Sequence, residues 1–337
     1  MTLLPERDLA APAVPQPRGP LSAAVVAALT ADRPPALDDV RQAEATDDPY
    51  GDDLQLALYL LYELHYRGFA AVPEDLEWAP ALAPLRAALE DRFLRALRAD
   101  VPGRTPDDAF GDLLVEPTEH EGSVAYHLEH AGDLRQMREY AALRSLYHLK
   151  EADPHVWVVP RLRGRAKAAM VAIEFDEYGG GRAERVHARL FADLMADLGL
   201  DTAYGRYVDL APAEALATTN LMTLFGLRRT LRGALVGHFG CVEVTSSPGS
   251  RRLAAGMRRL GAGPAAEGFY SEHVEADAVH EQMVRHEVVG GLLADEPHLA
   301  ADIAFGVDAT VFLEDRLAAH LLRAWRGEGS ALVRPLG

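Results

Sequence analysis

The chain has 337 residues, with 51 acidic side chains against 34 basic ones and a formal net charge of −17. A surface this acidic repels nucleic acid and anionic membrane, so neither is an expected partner. The single cysteine, Cys241, excludes an internal disulfide and a thiolate metal cluster. No apolar run has the length of a bilayer span, and the Pro-rich first twenty residues lack the apolar core of a secretion signal, so a cytoplasmic location is expected.

Residues 1–50 carry Pro5, Pro12, Pro15, Pro17, Pro20, Pro34 and Pro35, and between them only Leu21 to Thr30 reads as helix. An arm or loosely packed extension is expected there. An amphipathic helix follows from Asp53 to Arg67 and another from about Ala81 to Arg98. A polar connection then runs to about His130, so residues 51–130 form a helical N-terminal part packing on the bundle. Residues 131–330 form the core, which opens on a helix N-capped by Asp133 and ending near Asp153. The next helix runs from near Pro160 to Tyr178 and is interrupted by Gly179, Gly180 and Gly181. Helical pattern resumes at Arg182–Leu198, Pro212–Phe239, Ser247–Leu260, Ala265–Ala294 and His298–Arg326, with Val242–Thr245 as a short strand-like piece. The fold class is therefore all-α.

The segment around residues 270–283 carries most of the chemistry. His273, Asp277 and His280 are spaced four and then three residues apart, within roughly 60° of one another on one helix face. Phe269, Val284 and Val288 continue that face in both directions, so three ligand-type side chains interrupt an apolar stripe. Left unpaired they would cost several kcal/mol. A buried hydrogen-bond network would satisfy them, and a metal ion would do so directly.

Glu184 and His187 form an E-x-x-H pair, and Asp277-x-x-His280 has the same form. Two such pairs on different helices are what a two-metal centre uses. Glu177 lies about two turns before Glu184 and shares its face if the helix continues through the glycines, whereas Glu174 and Asp176 read as solvated acids. Glu151 is in register with Met137, Tyr140 and Tyr147, either as a ligand or as a helix-end residue reaching water. Three carboxylates, a fourth from Glu177 and three imidazoles would nearly neutralise two ferrous ions. Mixed carboxylate and imidazole ligation suits Fe or Mn.

In that order, Glu151, Glu184-x-x-His187 and His273-x-x-x-Asp277-x-x-His280 resemble the haem-oxygenase-like di-iron oxidases and oxygenases, also described as iron-containing redox enzymes. The resemblance spans about residues 130–290. It implies a haem-oxygenase-like helical bundle in which two Fe(II)/Fe(III) ions replace haem, with O₂ as co-substrate and an external electron donor. The metal ligands it implies are Glu151, Glu177, Glu184, His187, His273, Asp277 and His280. Glu177 matches the additional carboxylate of members that oxidise nitrogen, so Glu177 and Asp277 are the expected catalytic residues.

The activity so implied is N-oxygenation of an amine in an amino-acid-like small molecule through a peroxo-diferric intermediate. Decarboxylation, desaturation or C–C cleavage of an amino acid or fatty acid on the same site is the alternative, and a non-catalytic iron-binding helical protein is the reading from another class. A haem or cofactorless bundle would not explain three carboxylates with three imidazoles. The expected partners are a small-molecule substrate and an electron donor, with self-association into a homodimer left open.

Overall fold

The computed structural model describes residues 11–31, 35–46, 48–115 and 120–336, except the side chains of residues 275–279. The chain is helical, and no strand occurs among the described residues. The expected haem-oxygenase-like all-α bundle is what the chain forms. Among the described residues no helix is long and apolar enough to cross a membrane.

The N-terminal helices are α1 (Pro20–Thr30), α2 (Leu37–Ala45) and α3 (Asp52–Glu63). α1 packs against α3 and places Leu21, Val25 and Leu29 in the core. α1 is the helix expected over Leu21–Thr30. The second helix of the Pro-rich stretch, α2, escapes the sequence because only Ala43 of its nine residues is buried. α3 is expected to be amphipathic but is buried on every side from Leu54 to Glu63, its Gln55 and Glu63 included.

The helix expected over Ala81–Arg98 is α4 (Ala83–Asp100), and the expected polar connection after it holds α5 (Pro106–Leu113) and α6 (Val124–His130). Next come α7 (Leu134–His148), α8 (Asp153–Val156), α9 (Gly164–Glu177), α10 (His187–Asp197) and α11 (Ala213–Leu227). Asp133 caps α7 as expected: its carboxylate accepts from the Gln136 N–H at 2.8 Å, and Gln136 accepts back from the Asp133 N–H at 3.2 Å.

Two expectations are corrected here. The helix bearing Glu184 does not begin at Arg182. Gly179, Gly180 and Gly181 all take positive φ, residues 179–185 form short 3₁₀ turns, and α10 starts at His187. A Cβ on Gly179 would lie 2.6 Å from the Arg185 and Val186 backbone, so this turn requires glycine. Nor is Val242–Thr245 strand-like. It lies inside α12 (Arg232–Leu260), which continues through Pro248.

The bundle closes with α13 (Pro264–Met283), a π turn at Val284–Val289, α14 (Gly290–Asp295) and α15 (Ala300–Arg326). The helix expected over Ala265–Ala294 is thus α13 and α14 joined by a π turn. α12 and α15 cross at close range, because Gly237 faces the Ile303 carbonyl and Gly306 the Ala234 carbonyl, where an added Cβ would overlap the oxygen. α12 also packs against α13, which sets the elements around the site.

Candidate metal centre

Two buried groups of ligand-type atoms meet in the bundle interior. In the first, one atom each from Glu151, Glu177, His187 and His273 lies within 4.8 Å of the others, and in the second the same holds for Glu177, Glu243 and His280. Glu177 belongs to both. The side chains come from five places in the chain: Glu151 from the turn after α7, Glu177 from the last residue of α9, His187 from the first residue of α10, Glu243 from α12, and His273 and His280 from α13.

The sequence stripe explains the α13 pair, since Phe269, Val284 and Val288 are buried as expected and His273 and His280 share their face. The same logic holds on α9, where Met170 and Ile173 are buried and Glu174 and Glu177 continue their stripe. It holds on α12 too, where Val236 and Phe239 precede Glu243 at helical spacing.

In the first group His187 Nδ1 is 2.8 Å from Glu177 Oε2, and His273 Nε2 is 3.8 Å from Glu151 Oε1. The Phe269 carbonyl accepts from His273 Nδ1 at 2.8 Å, which turns Nε2 toward Glu151. His148 Nδ1 stands 3.1 Å from Glu151 Oε1 and orients that carboxylate from behind. The His187 and His273 rings lie 4.5 Å apart, and Phe269 packs on His273 and His148. In the second group His280 Nδ1 is 3.2 Å from Glu243 Oε2 and 3.9 Å from Glu177 Oε1. Its Nε2 faces Asp176 Oδ2 at 3.3 Å.

The electrostatics of the buried acids differ by what lies beside them. Burial alone pushes the Glu151 carboxyl up, yet the His148 and His273 imidazoles hold it well below the usual carboxylate range. Glu174 lies among other acids. Burial first, and then Glu177 and Glu243, push it well above that range, and both its oxygens lack a hydrogen-bond partner. Burial works against charge on the histidines as well, but Glu177 raises His187, and Glu243, Asp176 and Glu177 raise His280 to about 9.

The donor set fits iron. It supplies carboxylate oxygen and imidazole nitrogen only, and several acids crowd one desolvated place where a cation would relieve both their repulsion and the unpartnered Oε2 of Glu151. The buried Cys241 thiol is pushed well up by burial and does not join the set.

The sequence-expected ligands are not all gathered. Glu151, Glu177, His187, His273 and His280 are brought together, whereas Glu184 sits exposed on the Ala183–Arg185 turn. The E-x-x-H spacing places Glu184 beside His187 only within one continuous helix, and the glycine turn ends that register. The Asp277 side chain lies outside the described residues. Two acids were misread: Glu243, hidden by the strand-like reading of its segment, and Glu174, which is buried and not solvated. The period of apolar residues on α12 and α9 was the signal that could have found both.

The group opens on a cavity of about 420 Å³, lined by Glu151, Glu177, Glu243 and His273 and reaching residues of α11 and α15. A helical bundle with a buried carboxylate and imidazole cluster beside a cavity describes a metal-dependent enzyme. The family model of iron-containing redox enzymes matches residues 138–315, more than half of the chain and a range that contains every residue of both groups. The chain belongs to that family and is an oxidoreductase. Among curated proteins it is similar to the nitrosourea synthase of Streptomyces achromogenes subsp. streptozoticus, 25% identical over 145 residues. The alignment takes in 43% of this chain and 31% of that protein, so the chain spans about a third of its relative's length.

Proposed function

We propose that the chain is an O₂-dependent non-haem di-iron oxygenase that oxidises an amine nitrogen of an amino-acid-like small molecule. The observation that carries this reading is the sharing of Glu177 between two buried groups, each with its own imidazoles. One iron would be held by Glu151, His187 and His273, the other by Glu243 and His280, with Glu177 between them. Asp277 is a further ligand on sequence spacing. Iron held by these residues would supply the electrons that reduce O₂, with an external donor to restore them.

The chain's own residues do the rest. His148 and the Phe269 carbonyl fix the orientation of Glu151 and His273. Phe191 and Phe269 pack on the His148 ring and hold it beside Glu151. Tyr147 keeps its phenol proton, because burial and then Glu151 and Glu177 push its pKa well up. The relative's name points to nitrogen chemistry, and the additional carboxylate Glu177 supports the same choice.

The test is mass spectrometry of products when the ferrous-loaded chain meets O₂ and a panel of free amino acids. A product with added oxygen on nitrogen and an intact carbon skeleton is expected. Loss of CO₂, unsaturation or a shortened skeleton would replace N-oxygenation by oxidation at carbon. Oxygen consumption indifferent to every organic compound offered would leave iron oxidation alone.

A further inference from the structure

The cavity wall has a second charged place outside the ligand groups. Arg144 on α7 and Glu314 on α15 form a fork, Nη1 to Oε1 at 2.8 Å and Nη2 to Oε2 at 2.5 Å. Both side chains line the cavity, as does the neighbouring Asp315. Their side chains keep 23% and 35% of their surface, so the pair is not sealed against its neighbours. Arg144 lies on the last turns of α7 before Glu151, with Tyr147 and His148 on the cavity between them.

This place carries one guanidinium against two carboxylates. The fork to Glu314 uses one N–H on each terminal nitrogen and Tyr140 is a further neighbour of the guanidinium, which with five N–H groups still has donors for another acceptor. A bare carboxylate, as on a fatty acid, meets Arg144 but is opposed by Glu314 and Asp315. A bare amine is attracted by the acids and leaves the guanidinium unused. A carboxylate and an ammonium on adjacent atoms satisfy both signs at once.

We propose that Arg144, Glu314 and Asp315 form the recognition site for the zwitterionic head of an α-amino acid, whose side chain runs along α7 toward Glu151. The proposal rests on the reading above that a small molecule is oxidised at the ligand groups, and it names that molecule's class. The ion pair also ties α7 to α15, and a purely structural pair would do no more than that.

Binding is measured calorimetrically without O₂, on the full ferrous-loaded chain, with the standard L-α-amino acids. Any that binds is compared with its decarboxylated amine and its deaminated acid. The amino acid is expected to bind at least about tenfold more tightly than either. Arg144→Gln/Glu314→Gln, which removes both charges so that neither is left unpaired, should abolish that preference at unchanged iron content. Asp315→Asn should weaken the preference over the deaminated acid. The proposal is overturned if no amino acid binds, if the amine or the acid binds equally well, or if the double variant keeps the preference. An amino acid held through Arg144 but oxidised at carbon would overturn N-oxygenation and leave this site standing. Oxidised nitrogen with an indifferent double variant would do the reverse.

Discussion

His280 faces carboxylates from two other helices, Glu243 on α12 at 3.2 Å and Asp176 on α9 at 3.3 Å. Replacing Glu243 by Ala should lower bound iron by about half while circular dichroism stays helical. Unchanged iron in that variant would place Glu243 outside the ligand set. Beside the centre, Lys150 and Glu63 form a buried ion pair at 2.7 Å, and the Tyr204 hydroxyl donates to the same carboxylate at 2.6 Å. Lys150→Met would leave the Glu63 charge uncompensated in the core, at a cost of about 3–5 kcal/mol. Urea unfolding measures that loss, and a change below about 1 kcal/mol would show that Glu63 is relieved some other way. His273 and His280 were legible in the sequence because polar ligand types broke an apolar stripe of regular period. Glu174 was not, since an acid two residues from another acid reads as solvated until the fold buries it.

At the level of elements, the crossing of α12 and α15 depends on glycines. Gly237→Val should destabilise the chain by about 3 kcal/mol or prevent folding, because its side chain would overlap the Ile303 carbonyl. Gly249, in the same helix with open space around its Cβ position, should accept Ala at no cost or with a gain of up to about 1 kcal/mol. Equal thermal midpoints for Gly237→Val and the wild type would refute the close crossing.

His320 on α15 links two further elements, bonding the Ala331 carbonyl at 2.9 Å and facing Glu214 on α11 at 3.6 Å. The Glu214 partner raises His320, and His320 lowers Glu214. The histidine's contribution is complete below its unfolded pKa and fades as pH rises through the raised value. The glutamate's is complete above its unfolded pKa and fades as pH falls through the lowered one. Stabilisation therefore peaks between about pH 4.5 and 6.5. His320→Gln should cost up to about 1 kcal/mol at pH 5.5 and less at pH 9, because the pair is partly exposed. A cost independent of pH would assign the effect to packing.

The order of the core helices was legible from apolar period and proline and glycine signals. The start of α10 was not, because helical spacing in residues 182–186 cannot reveal that three positive-φ glycines turn the chain there. Glu243 was lost for a related reason: three β-branched residues around it suggested a strand, and tertiary packing of α12 overrode that propensity.

Across the whole molecule, the N-terminal helices and the family-matched region share one interior. α3 runs buried against α11, and its Glu63 pairs with Lys150, the residue before Glu151. The first 130 residues, which carry no ligand motif, thus help hold the position from which Glu151 enters the centre. α7, α12, α13 and α15 enclose a cavity with ligand groups at one place on its wall and the Arg144–Glu314 pair at another. Both places face the same cavity, and Glu177 is the side chain on which the two ligand groups converge. The account stands or falls on that convergence. Iron per chain, determined after anaerobic ferrous loading and removal of free metal, should be two for the wild type and one or none for Glu177→Ala. One iron in the wild type, or two retained in the variant, would contradict it.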